Sequence, residues 1–476
     1  MLADLSSRIR GSAGFQYLLP FELPPVQVHE PGLVSGPERG SSPRRTEFAW
    51  GLVAAVCPPQ LVDRVIDDCG RREKRHRLLP ARLVVYALLV RCWYHQLGYQ
   101  RVLRLLQHSA LSPGRWQVPC ASAFLLARDR LGPEVMKRLF LALAGPLAEP
   151  RAEGCWWRGR RLMALDGTTV EVAPNDDFEA RFGGPEVEGR GRKGRPQLRL
   201  TALIECGTRS LTDLTWGPYG EGEATQAGRL VGAVGPGMLV IADRNFRGVN
   251  LWQEFVKAGA DLLWRVDSFR ATKIVNTLSD GSSLARVRSH DGPSVVVRVI
   301  SYRLFGSDQT YRLMTNILDP KLAPAAELAA LYAERWEIET CFRELKVTQC
   351  AVPALPSKSA QRVEQDLWAN AAAYQLTRHL AYRAASSMPG CDCDRISFTA
   401  VLDALRGGMR MIGQRSQHLL AWAVDQLTRP HALLTRRNRA CPRIAMFRWR
   451  KYPSRDRYLG PLSSARQRRP TPALCP

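Results

Sequence analysis

The 476-residue chain predicts an α/β fold. A mixed sheet carries helices on it, an all-helical N-terminal region precedes it, and further helices and a basic tail follow. Three observations lead there. Apolar residues recur at three-to-four spacing from Ala49 to about Gly145. From Arg161 the pattern turns strand-like, in "RLMALDGTTVEV", "PQLRLTALIECG" and "SLTDLTWGPYG". Strands and helices then alternate through "GMLVIADRNF", "GVNLWQEFVKAGA" and "DLLWRV". The length exceeds ordinary single-domain size, and 45% hydrophobic residues supply a sizeable core.

The elements follow in order. Residues 1–45, rich in Pro, Gly and Ser, read as a flexible arm. Residues 46–150 read as a helical domain. Within it "PPQLVDRVIDDCG" opens on a proline pair and stops at Gly70, as a helix with a permitted proline turn and a glycine end should. "LPARLVVYALLVRCWYHQLGY" and "ASAFLLARDRLGPEVMKRLFLALAG" continue the helical period. The first part of the sheet core spans 155–267, with helices at "EATQAGRLVGAVG" and after "ADRNF". A strand-rich insertion, 268–320, contains "SVVVRVISYRLF" and "TYRLMTNI". Then "ALYAERWEIETCFRELK" opens a helical end of the core, 321–385, followed by helices to 428 and a basic tail from 429 to 476.

Charge narrows the function. Against 44 Asp+Glu stand 68 Lys+Arg, a net +24 that attracts polyanions, of which nucleic acid is the commonest partner for so basic a chain. The apolar fraction disfavours a ribosomal protein, and no amphipathic cationic helix suggests a membrane surface. No secretory apolar region opens the sequence, and the aliphatic run Leu83 to Val90 is too short to span a bilayer. Among the 12 cysteines there is no C-x-x-C pair, and the eight histidines do not cluster. The thiols therefore read as reduced, in a cytoplasmic protein working at the nucleoid, rather than as zinc ligands.

Three acidic residues sit where chemistry could use them. Asp166 ends the apolar run "LMAL" and Asp243 ends "MLVIA"; carboxylates at strand ends can converge in the crevice beside a sheet. Either one alone would more often simply start a turn. The third, Glu339, lies on the helix, where about 100° per residue places Tyr332, Arg335, Glu339 and Lys346 within an arc of roughly 60°. Leu331, Ile338, Phe342 and Leu345 form the neighbouring apolar stripe. Glu334, Glu337, Arg343 and Glu344 read as a solvated salt-bridge face. Such a set suits phosphoryl transfer on DNA: carboxylates can hold a pair of Mg²⁺ ions about 4 Å apart. Arg335 offers a fork and Lys346 a point charge to phosphate, and Tyr332 a hydrogen bond or a ring for stacking.

Other cations are candidate DNA contacts. From Arg429 onward 13 Lys/Arg face one acid, Asp456, so 13 − 1 = +12. There "FRWRKYPSRDRY" interleaves Arg448, Arg450 and Lys451 with aromatics, as a phosphate-tracking segment or a solubilising tail would. The loop "GRGRKGRPQLR" brings Arg192, Lys193 and Arg195 between the first two core strands, near Asp166. Arg244 follows Asp243, and Arg265 follows Trp264 in "LLWRV", where a tryptophan is more often core than a base wedge.

The spacing Tyr332-x2-Arg335-x3-Glu339-x6-Lys346 matches the Y-R-E-K signature of the IS4 family of DDE transposases, the cut-and-paste enzymes of bacterial insertion sequences. The similarity also takes in "DGTT" at Asp166, "ADRNF" at Asp243 and the strand-rich insertion, and spans about residues 45 to 450. The resemblance implies a ribonuclease-H-like core with Asp166, Asp243 and Glu339 as catalytic and metal-holding triad. It implies two Mg²⁺ ions, with Mn²⁺ able to substitute, and Tyr332, Arg335 and Lys346 on the DNA phosphates. It further implies hydrolysis at terminal inverted repeats of double-stranded DNA, strand transfer by the freed 3′-hydroxyl into target DNA, and a homodimer in the paired-end complex. Many relatives carry Gly where this chain has Asn245; Asn tolerates left-handed backbone, so the turn is expected to survive. Two alternatives stand beside this reading: a catalytically inactive DNA-binding descendant, against which the intact six positions argue, and a general nuclease of the same fold.

Overall fold

A computed structural model describes residues 51–434, except 76, 108–116, 188–191, 247, 267–272, 289–293, 305–309, 351–353 and 410–415, together with 472–474. The arm at 1–45 and Arg448, Arg450 and Lys451 lie outside the described residues. Six helices open it: α1 (Gly51–Val56), α2 (Pro59–Asp68), α3 (Ala81–Trp93), α4 (Tyr99–Gln107), α5 (Ala121–Leu131) and α6 (Pro133–Leu143). Proline at the first turn of α2 costs no hydrogen bond, and Gly70 at φ +62° ends it. α3 has almost no polar face because it is buried nearly all round, with Tyr86, Leu89 and Trp93 fully enclosed.

The sheet starts with β1 (Trp156–Trp157) and β2 (Arg160–Val172). α7 (Asp176–Phe182) and a small ribbon, β3 (Glu186–Val187) with β4 (Arg192–Lys193), come next; the sequence reading had neither. β5 (Gln197–Glu205), β6 (Leu211–Pro218), α8 (Glu223–Gly228), β7 (Met238–Ala242), α9 (Val249–Lys257) and β8 (Asp261–Val266) complete the core. Its order is β6-β5-β2-β7-β8, with β5 antiparallel to both neighbours and β2, β7 and β8 parallel. That is a ribonuclease-H-like sheet, with the parallel crossovers supplied by α8 and α9. β9 (Lys273–Thr277), β10 (Ser283–Arg288), β11 (Ser294–Leu304) and β12 (Thr310–Thr315) prolong the same sheet, β12 pairing antiparallel to β8.

Then come α10 (Ala325–Leu331), α11 (Trp336–Arg343), β13 (Ala354–Leu355), the 27-residue α12 (Ala360–Ser386), α13 (Phe398–Gly408) and α14 (Ser416–Thr428). The segment expected as a tail does not end free: β14 (Pro472–Leu474) pairs antiparallel with β11.

Side-chain alternation sorts the sheet into two faces. Ala164, Ile241 and Leu263 belong to the core shared with α3, α6, α12 and α13. Leu165, Ala242 and Trp264 belong to the core under α8 and α9. The N-terminal helices are fastened to α12 by Arg128. Fully buried, it donates to Asp366 at 2.7 Å and Gln365 at 2.6 Å, which satisfies a charge that would otherwise be costly inside. Among the described residues no helix is long and apolar enough to cross a membrane, and the cysteines are free thiols.

Candidate active site

Asp166 does not end its strand. β2 runs six residues past it, and what ends there is the pairing with β7, whose last register partners are Leu165 and Ala242. Asp166 and Asp243 are therefore the next residues on two parallel strands that have just separated. By alternation both point to the face of Ala164 and Ile241, the face that α10 and α11 cover. Each carboxylate is oriented locally: Gly167 N–H donates to Asp166 Oδ1 and Asn245 N–H to Asp243 Oδ1, both at 2.8 Å. Asn245 is not left-handed, contrary to the expectation for a glycine substitute; the turn holds through that Asp243 hydrogen bond instead.

The stretch from Ala325 to Gln349 is not one helix either. A 3₁₀ turn at Tyr332–Arg335 separates α10 from α11, and a π turn at Glu344–Gln349 follows. Tighter and wider turns alter the 100° step, so the arc drawn from ideal geometry does not carry across the segment. The groups converge nonetheless. Arg335 Nη1 donates to Asp166 Oδ2 at 3.3 Å and Nη2 to Glu339 Oε1 at 2.9 Å. Lys346 Nζ donates to Thr168 Oγ1 and, at 3.2 Å, to the Thr169 carbonyl, farther along β2. Tyr332 is 8% exposed, and its hydroxyl, like Arg335 Nε, has no hydrogen-bond partner among the described residues.

Glu337 and Glu344 are not on a solvated face. Both are buried, on the far side of α11, against charges brought by β6's hairpin and α12. Arg209 Nε donates to Glu337 Oε2 at 2.6 Å and its Nη1 to Glu344 Oε1 at 3.1 Å. Arg378 and the Tyr374 hydroxyl donate to Glu344 Oε2. Arg209 sits at φ +57°, a strained conformation for a side chain of its size, held by these two pairs. Arg343 is exposed, as expected, and Glu334 half-buried.

Burial pushes the Asp166 carboxyl up to about 7 against the opposing pull of Arg335, with Asp243 and Glu223 adding like charge. Burial also raises the Tyr332 phenol, while Arg335 and Arg265 nearby pull it back. For Arg335, burial alone would lower the pKa, but Tyr332, Asp166, Glu339 and Asp243 outweigh it and keep the guanidinium charged.

An all-oxygen set of carboxylates suits a hard divalent cation. Among the described residues no group of three or more acidic, His or Cys side chains is placed to hold a metal ion, and the Arg335 guanidinium lies between Asp166 and Glu339. Asp166, Asp243 and Glu339 are of the donor type that would hold such a cation, and Arg335 would then need other partners.

The remaining candidates divide. Arg244 is exposed in the turn after Asp243. Arg265 points to the helical face, close to Tyr332, with its guanidinium 4.7 Å from the Tyr311 ring centre. Trp264 is core, edge-on to Trp252 and Phe255 at 5.2 and 5.6 Å. Arg195 is exposed and paired with Glu171 at 3.6 Å. That places the basic loop at the far end of β2 rather than near Asp166; the side chains of Arg192 and Lys193 lie outside the described residues. The sequence reading missed Glu223, which the charge of Asp166 feels, and Thr168 and Thr169, which hold Lys346. The "TT" of "DGTT" was a usable signal for the latter pair.

Residues 48–141 match the family described as insertion element 4 transposase N-terminal, and residues 157–376 the family described as transposase DDE domain. Transposase InsG for insertion sequence element IS4, of Escherichia coli (strain K12), is 26% identical over 416 residues, 83% of this chain and 92% of that protein. Putative transposase InsZ of the same organism is 22% identical over 251 residues, 52% of this chain and 82% of that protein. A cryo-EM structure of piggyBac transposase, a synaptic complex with hairpin DNA, is similar at TM-score 0.41 and 11% identity, covering 78% of this chain and 80% of that one.

Proposed function

Because the chain belongs to the IS4 family of DDE transposases, we propose a division of labour among the residues gathered at β2, β7 and α11. The protein is a DNA transposase, an enzyme of a family that uses divalent metal ions. In our reading Asp166, Asp243 and Glu339 are the catalytic, metal-holding acids. The observation that carries it is Arg335, which joins the strand acid Asp166 to the helix acid Glu339 through one guanidinium. A mostly buried cation bridging two carboxylates from distant parts of the chain supports the reading that they share one cleft and favour positive charge between them.

The metal is Mg²⁺, replaceable by Mn²⁺, with two ions per site; when bound they lower the pKa of the attacking oxygen and neutralise the leaving one. The chain's own residues do the rest. Arg335, released toward the DNA, presents its fork to the phosphate at the cut. Lys346, steadied by Thr168 and Thr169, fixes a second phosphate oxygen. The Tyr332 hydroxyl, without a partner inside the protein, donates to the strand. Arg244, exposed after Asp243, and Arg265, close to Tyr332, contact further phosphates, and the basic segment after Arg429 follows the DNA backbone. The substrate is double-stranded DNA at terminal inverted repeats. Hydrolysis frees a 3′-hydroxyl that attacks the opposite strand and then the target, within a homodimer that pairs two ends at the nucleoid.

Purified Asp243→Ala protein should bind inverted-repeat DNA with wild-type affinity in EDTA and fail to nick it in Mg²⁺. Wild-type cleavage by that variant would remove Asp243 from the mechanism. Mass photometry with the two ends present should show two protomers per complex; a single protomer on paired ends sinks the homodimer.

A further inference from the structure

The cleft has a fourth acid. Glu223 begins α8, the helix that follows the third core strand, and its side chain is only 14% exposed. α8 is fixed on β5 by Gln226, fully buried, which accepts from Thr201 at 2.8 Å and donates to the Arg199 carbonyl at 3.2 Å. From there Glu223 approaches β2 at Gly167, next to Asp166. A Cβ on Gly167 would lie 2.5 Å from Glu223 Oε1, so the missing side chain is the space the carboxylate fills. Gly167 has no positive φ to require glycine; the close approach is what requires it. Alternation puts the Gly167 position on the face opposite the Asp166 side chain, just beyond the last β7 partner, so Glu223 reaches the cleft from the other side of the sheet.

Two contacts tie Glu223 to the site. Arg199 Nη1 donates to Oε1 at 3.0 Å, and the Asn245 side chain also hydrogen-bonds the carboxylate. Asn245 is the residue whose backbone N–H holds Asp243. One turn residue thus links two acids. Arg199 alone does not explain the burial, since it already donates to the Tyr219 carbonyl at 3.1 Å and lies over the Tyr219 ring. Glu223 adds like charge to Asp166, and Asp243 adds like charge to Glu223. A further carboxylate close to Asp166 and Asp243 adds negative charge that favours a cation between the two aspartates. Separately, the Tyr332 hydroxyl, more than nine-tenths buried beside Asp166 and Asp243, is unpartnered.

We propose that Glu223 is a positioning residue for the divalent metal ion at Asp166 and Asp243, acting from behind the two aspartates through Asn245 and through its charge. This rests on the reading of those aspartates as metal-holding. Outer partners of metal ligands commonly change metal affinity by about 10–100-fold when removed. In calorimetric Mn²⁺ titrations of the full-length, metal-free protein, Glu223→Gln should weaken binding about tenfold. Gly167→Ala, which pushes the carboxylate aside without removing it, should do the same. In EDTA, Glu223→Gln should keep the wild-type melting temperature and affinity for end DNA, and in both variants the Mg²⁺ concentration for half-maximal cleavage should rise about tenfold. Wild-type Mn²⁺ affinity in Glu223→Gln, or lower melting temperatures in both variants without any shift in metal affinity, overturns the proposal. Wild-type Mn²⁺ affinity in Asp243→Asn instead overturns the underlying reading of the site.

Discussion

Arg335, on the 3₁₀ turn before α11, donates to Asp166 on β2 across 3.3 Å. The same guanidinium holds Glu339, so in the DNA-free protein it neutralises two acids that a metal would also claim. Arg335→Ala should lower strand cleavage by about 10²–10³-fold, the scale for losing one group that stabilises transition-state charge. Its Mn²⁺ affinity should equal or exceed that of the wild type, because a competing cation has gone. Lysine at 335 should not restore cleavage, since it lacks the planar fork. Weakened Mn²⁺ binding in the alanine variant would show that Arg335 supports the metal site rather than competing with it.

Tyr332 buries a hydroxyl with no partner. An unsatisfied buried polar group costs about 1–3 kcal/mol, so Tyr332→Phe should raise the stability of the DNA-free protein by about 1 kcal/mol. The same change should weaken end-DNA binding or cleavage. Chemical denaturation beside a cleavage assay reads both, and a destabilised Phe variant contradicts the assignment.

The ionic cluster of Arg209, Glu337, Glu344 and Arg378 brackets Glu339 from behind. Removing one partner of a buried pair leaves an uncompensated charge. Arg209→Met should therefore cost about 3–5 kcal/mol in urea unfolding, and the double change Arg209→Met with Glu337→Met should recover part of it. Additive losses in the double variant would mean that the pair is not coupled.

Burial raises the Asp166 carboxyl from the ordinary aspartate value, about 3.9 in the unfolded chain, to about 7 in the fold. Between those values the folded protein binds the extra proton, so its stability is fully present below about pH 4 and declines as pH rises through about 7. The melting temperature of metal-free protein should carry that decline, Asp166→Asn should remove its contribution, and saturating Mg²⁺ should suppress it. An unchanged slope in Asp166→Asn refutes the shift.

Much of this molecule was legible in its residues. The change of period at Arg161 located the sheet, and the fixed spacing of Tyr332, Arg335, Glu339 and Lys346 located the helical side of the cleft. Less legible were features that depend on what packs behind an element. Glu337 and Glu344 look like any surface pair on a helical wheel until Arg209 and Arg378 arrive from β6's hairpin and α12. The broken helix could not be read either, since a reading by the regular helical step does not show where 3₁₀ and π turns replace it.

Sequence by itself determined the kinds of group available and their local order: two aspartates after apolar runs, a glutamate flanked by a tyrosine and two cations, and a strongly basic chain. Only the tertiary structure decided which of them meet. The end of β7 exposes Asp166 beside Asp243, the helix turns Arg335 between Asp166 and Glu339, and Gly167 leaves room for Glu223. Electrostatic interaction falls off within a few ångströms and grows on burial, so charge acquires chemical meaning only where the fold brings it together and excludes water.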